Sequence, residues 1–154
     1  MLDCAVALAW VFGDEATAAS ERLLDELTSG ARAWVPSLWH LELANVMLGA
    51  ARRRRIDQAG VEGFLTQLGA CDIRVDGETV ARAWTKTLDP AQQHGLSAYA
   101  AAYLELALRR GLPLASTDRA LVAAARAAGV GLLLPPPKET GGKRLPGKGW
   151  PGKG

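Results

Sequence analysis

Three carboxylates sit where a purely structural acid is an odd choice. Asp3 follows the first apolar residues of Met1-Leu2-Asp3-Cys4-Ala5-Val6-Ala7-Leu8-Ala9-Trp10. Glu42 interrupts the apolar run Leu38-Trp39-His40-Leu41-Glu42-Leu43-Ala44-Asn45-Val46-Met47-Leu48, and Asp118 opens Ser116-Thr117-Asp118-Arg119-Ala120-Leu121. Carboxylates scattered in sequence but recurring at element ends are how a hard cation is usually assembled. A fourth acid is missing. Ser97 reads as a helix cap, and Ala100 stands at the third helical position, where a carboxylate would answer unpaired N–H groups of the first turn. Each acid also has a plainer role. Asp3 and Asp118 could simply cap helices. Glu42 has only Asn45 as a polar neighbour at helical spacing, and burying a lone ionised carboxylate costs several kcal/mol unless it is paired or metal-bound.

The elements that must position these acids alternate. Leu2–Cys4 reads as the end of a strand, followed by a helical segment to Phe12. Gly13-Asp14-Glu15 starts a second helix ending at Thr28-Ser29-Gly30, and Ala33–Val35 is a brief strand. Pro36 fits the first turn of a long helix to about Arg53, since its missing N–H costs nothing there. Asp57–Leu68 is helical, Cys71–Val75 alternates like a strand, and Thr79–Leu88 is a helix broken by Asp89-Pro90. A helix over Ser97–Arg110, a strand over Leu112–Ala115, a helix over Asp118–Ala128 and a strand over Gly131–Leu134 complete the series. Strands alternating with helices predict an α/β domain with a mainly parallel sheet covered on both faces. Ligands gather beyond the carboxyl ends of such strands, where Asp3 and Asp118 would lie and where Glu42 could point. The Pro/Gly/Lys-rich stretch 135–154 reads as a tail after a domain over 1–134.

Composition narrows the function classes. Residues 1–137 carry 13 basic and 15 acidic side chains, while 138–154 carry five basic residues against Glu139. The body is therefore not a nucleic-acid binder by bulk charge, and RNA contact would need a local patch, metal ions or the tail. No apolar run approaches a membrane span and no leader is evident, so a cytoplasmic location is expected. Cys4 and Cys71, in strand regions, read as small buried hydrophobes. Arg52-Arg53-Arg54-Arg55 is a solvated helix end or an RNA-phosphate contact; Trp10, Trp34, Trp39 and Trp84 read as core or interface anchors.

The segments around Asp3, Glu42, Leu96–Leu104 and Leu114–Leu121 resemble, in order and spacing, the PIN domain, and within it the VapC-type toxins of bacterial toxin–antitoxin pairs. The likeness spans about residues 1–134. It implies a three-layer α/β/α fold and a magnesium- or manganese-dependent endoribonuclease. It further implies a VapB-type antitoxin partner lying across the active-site groove, and a homodimer or toxin–antitoxin hetero-oligomer. The family's acidic quartet falls on Asp3, Glu42, position 100 and Asp118, with Ser116 as a polar supporter. Asp3, Asp118 and Glu42 are then the metal-site acids, and Ala100 marks the absent one. The family also often has Ser where Ala5 stands. The chain begins two residues before Asp3, leaving open a short first strand or a start further upstream. An alanine isolated in an otherwise intact motif reads as inactivation rather than drift. Two alternatives are a non-catalytic PIN domain that binds antitoxin or RNA, and a PIN nuclease of RNA processing. An apolar groove near the acids, lined by some of Trp10, Phe12, Trp39 and Leu43, is expected to receive the partner.

Overall fold

The computed structural model describes residues 1–136. The tail predicted over 135–154 therefore lies almost wholly outside the described residues. Ten elements follow one another: α1 (Cys4–Val11), α2 (Ala18–Thr28), β1 (Arg32–Val35), α3 (Trp39–Arg52), α4 (Gln58–Gly69), β2 (Asp72–Val75), α5 (Thr79–Arg82), α6 (Leu88–His94), α7 (Ala98–Arg110) and α8 (Arg119–Ala127).

Parallel pairing organises the sheet. β1 and β2 pair in register from Arg32 with Asp72 to Val35 with Val75. Leu2 donates its N–H to Trp34 O on the other side of β1 and forms a parallel bridge with Ala115. Leu114 bridges in parallel to Leu132. The spatial order is thus β2, β1, Leu2, Leu114–Ala115, Leu132. The first two crossovers step one way from Leu2, and the later ones return to its other side. Right-handed crossovers then place the two helix groups on opposite faces. The contacts agree, because α1 packs on α2, α3 and α4, while α7 packs on α6 and α8. The result is an α/β/α domain with a small parallel sheet. Its core joins Val6, Val35, Trp39, Leu104, Leu114 and Leu121, all nearly or fully buried.

Several boundaries differ from the sequence reading. The strand expected over Leu2–Cys4 shrinks to a single bridge at Leu2, because Asp3 already caps α1 and Cys4 is helical. Leu112–Ala115 and Gly131–Leu134 likewise pair only at bridges. α2 starts at Ala18, not at Gly13–Glu15, because Thr17 and Ser20 form a reciprocal capping box. Asp14 and Glu15 turn to Arg55 instead. α3 starts at Trp39, whose N–H bonds Pro36 O, so the proline precedes the helix. The single helix expected over Thr79–Leu88 is two short ones, and Pro90 does not break the chain's helicity. It lies in the first turn of α6, where a missing N–H is harmless. Cys4 and Cys71 are half-buried rather than core residues, and Trp84 is 85% exposed.

Candidate active site

Asp3 and Ser116 meet where the sheet order reverses. From Leu2 the chain departs toward β1, and from Ala115 it departs toward Leu132, so these two residues flank the point of reversal, where open α/β sheets gather ligands. The backbone closes this pair: Asp3 N–H donates to Ala115 O at 3.0 Å and Ala115 N–H to Met1 O at 2.9 Å. Asp3 is 6% exposed and Ser116 2%. The Ser116 hydroxyl donates to Asp3 Oδ2 and accepts the Asp118 N–H at 3.0 Å, so one serine fixes both neighbours. The plainer reading of both aspartates also holds. Asp3 caps α1, accepting from Ala5 N–H at 3.4 Å, and the exposed Asp118 caps α8, accepting from Leu121 N–H at 2.7 Å.

Glu42, half-buried in the first turn of α3, lies on the helix group of α1, which Asp3 caps. Its expected companion Asn45 is exposed and makes no bond to it. The buried Tyr103 hydroxyl donates to Glu42 Oε2 instead. Tyr103 lies three residues after Ala100 on α7, and residues at that spacing share a helix face. The Ser97 cap is as expected, its hydroxyl accepting from Ala100 N–H at 3.2 Å. Ala100 thus occupies the first turn of the helix that holds Glu42 in place. No acid stands in that turn. The sequence reading missed Tyr103, although its spacing from Ala100 was a usable signal. It also missed that the Cys4 thiol interacts with Glu42, Tyr103 and Asp3.

The electrostatics tie these groups together. Burial raises the Asp3 carboxyl above its ordinary range, the Ser116 and Ala5 bonds oppose the rise, and the Asp118 charge adds to it. Burial also raises Glu42, with the Tyr103 bond opposing and the Asp3 charge adding. Burial and the charges of Asp3 and Glu42 push the Cys4 thiol up to about 12. Among the described residues none of the three acids forms an ion pair. Mutual repulsion without a resident cation is the condition that an oxygen-loving divalent ion relieves, so the donor set suits magnesium or manganese in its chemistry. Among the described residues no group of three or more His, Cys, Asp or Glu stands close enough together to hold a metal ion. Magnesium keeps several waters and needs only one or two direct carboxylates.

Residues 1–127 match the PIN domain family. The chain belongs to it. No curated protein matches the chain. PIN domains are in general metal-dependent nucleases that bind RNA and often pair with antitoxins or dimerise. No described helix of this PIN domain is long and apolar enough to cross a membrane.

Of Trp10, Phe12, Trp39 and Leu43, expected to line a groove for a partner, Leu43 lines one: an apolar groove of about 360 Å³ between α3 and α4, with Met47, Leu48, Val61 and Leu65 also in its walls. Trp39 and Phe12 are buried in the core, and Trp10 is half-buried with its indole N–H donating to Ser20 O at 2.9 Å. Packing of α1 against α2 and α3 takes up these three aromatic side chains. Sequence reading also passed over Asp76. It is fully buried at the end of β2 and held by Arg109 at 2.9 Å, Arg110 at 3.0 Å and Thr79 at 3.1 Å.

Proposed function

We propose that this PIN domain is an endoribonuclease of the VapC toxin type, using magnesium or manganese and weakened by the alanine at position 100. The observation that carries the reading is the buried, unpaired Asp3, tied to Asp118 through Ser116 and electrically coupled to Glu42. Asp3, Asp118 and Glu42 would hold the ion, which when bound polarises a phosphodiester oxygen and lowers the pKa of a water for attack. Ser116 acts as a positioning residue: its hydroxyl orients Asp3 while accepting the backbone of Asp118. Tyr103 does the same for Glu42. Without a cation the three acids repel RNA phosphate, so ion and substrate binding are coupled. A VapB-type antitoxin is the partner, and the α3–α4 groove supports it by offering apolar walls for an amphipathic segment.

The position of Ala100 gives the test. Ala100→Asp should produce Mg²⁺-dependent RNA cleavage and make expression toxic without antitoxin. The gain should be several orders of magnitude, since about 1.4 kcal/mol of transition-state stabilisation is tenfold. A folded Ala100→Asp protein that neither binds the ion more tightly nor cuts RNA would favour the second reading. That reading is a PIN domain that binds antitoxin or RNA without cutting, and Ala100 is the observation that speaks for it.

A further inference from the structure

Arg52, Arg53 and Arg54 are consecutive exposed cations at the end of α3, and none has a side-chain partner among the described residues. This sets them apart from Arg32, Arg55, Arg74, Arg82, Arg109 and Arg110, each of which is ion-paired. The backbone sharpens the contrast. Gly30, Gly95, Gly111 and Gly129 supply the positive φ after α2, α6, α7 and α8. After α3 the same conformation falls on Arg54, at φ 54°, the one positive-φ residue other than glycine among those described. A side chain with a Cβ is strained there, and glycine would not be. One cation in the last turn would suffice to answer the negative end of the helix, and Arg52 already stands there. Three in a row, one of them strained, exceed that need.

The neighbours fix how the run is presented. Arg55 is held by Asp14 at 2.8 Å and Glu15 at 2.9 Å, and its guanidinium lies 4.1 Å from the Phe12 ring centre. Those acids bound the patch on the α1 side. Arg53 folds back over Gly49, with Nη1 3.3 Å from where a Cβ would stand, and so points along α3 toward the end that carries Glu42. Glu42 is about 15 Å away along the helix at about 1.5 Å per residue.

We propose that Arg52, Arg53 and Arg54 form a contact surface for the phosphate backbone of single-stranded RNA, holding the strand beyond the bond at the acidic site. The proposal rests on the nuclease reading for its choice of polyanion. Guanidinium groups match phosphate oxygens in pairs, and charges repeated along the run suit a polymer with one charge per unit.

The test uses the full chain with Ala100 retained, so that binding is read without cleavage. Fluorescence anisotropy of a long and a short labelled single-stranded RNA is followed across a salt series. In Arg52→Gln/Arg53→Gln/Arg54→Gln the long strand should bind at least about tenfold more weakly, and the slope of log K against log salt should flatten by about 2, from three contacts of about 0.7 each. A short strand that spans only the acidic site should bind as before. Arg54→Gly should flatten the slope by about 0.7 and melt a few degrees higher, because strain is relieved while one contact is lost. An unchanged slope in the triple variant overturns the surface. So does loss of polyglutamate binding with RNA binding intact, because the partner would then be an acidic protein. A non-cleaving Ala100→Asp protein whose RNA slope still responds to the arginines would retire the nuclease reading and keep this surface.

Discussion

Asp3 and Asp76 are both buried aspartates just past the end of a strand segment, and their surroundings are opposite. Asp76 lies against two guanidinium groups and the Thr79 hydroxyl. Its burial alone would raise the carboxyl, but those partners more than reverse the effect and hold it below its ordinary range. Asp3 has a serine hydroxyl and one long backbone bond, with like charges at Asp118 and Glu42, and its carboxyl is raised. The Asp76 cluster carries its own cations and pins α7 to the strand end. Asp3 has none, which leaves room for one from outside. Burial alone therefore does not distinguish the two aspartates; the presence of paired arginines at Asp76, and of none at Asp3 among the described residues, does.

The largest effect expected from this contrast is catalytic. In the Ala100→Asp protein, adding Asp3→Asn should remove essentially all of the restored RNA cleavage, a loss of about three orders of magnitude or more, because residues that act as a unit fail together. Asp76→Asn should leave the rate per folded molecule nearly unchanged. Equal losses from both variants in single-turnover cleavage would erase the distinction.

Stability should respond the other way round. Asp76→Ala leaves Arg109 and Arg110 without their buried partner and should cost about 3–5 kcal/mol in urea unfolding, as breaking a buried ion pair does. Asp3→Asn keeps a good helix cap and a partner for Ser116 while removing an unpaired buried charge. It should stabilise the metal-free protein by about 1 kcal/mol, the usual scale when a conflict at a functional site is relieved. A destabilised Asp3→Asn would mean that the carboxylate is structural.

The smallest effect is the pH dependence in EDTA. For Asp3 the folded carboxyl titrates above the unfolded one, so the unfolded chain loses its proton first as pH rises. Stability should fall as pH rises from about 4 through the raised folded value, with Glu42 contributing in the same direction. For Asp76 the folded carboxyl titrates lower. Its contribution is complete above about pH 4 and is lost as pH falls through the depressed value. Urea midpoints against pH should therefore show two limbs of opposite slope, and Asp3→Asn should flatten only the upper one.

Much of this was legible in the chain, for local reasons. The caps at Ser97 and Asp118 and the alternation of helix and strand depend on neighbours in sequence, and they stand where spacing placed them. Starts set by one competing bond were not legible, as when the Thr17–Ser20 box moved α2 or when Asp3 capped α1 and took Cys4 out of its strand. Tyr103 against Glu42, 61 residues apart, and Arg109 against Asp76, 33 apart, depend on how α7 crosses the sheet, which no local pattern states. The misplaced aromatic walls of the groove have the same origin. Aromatic residues near the acids were read as exposed, whereas packing of α1 against α2 and α3 covers them and opens the α3–α4 side.

The bond between Ser116 and Asp3 joins residues 113 positions apart. During synthesis the first carboxylate leaves the ribosome long before the serine that orients it. Helices α1 to α4 can pack while the point of reversal still has only one flank, since domains fold as the chain emerges from its N-terminal end. The acids come together only after Ala115 pairs beside Leu2 and α8 has been made. A nascent chain therefore cannot orient Asp3 through Ser116 until nearly all of its described length exists.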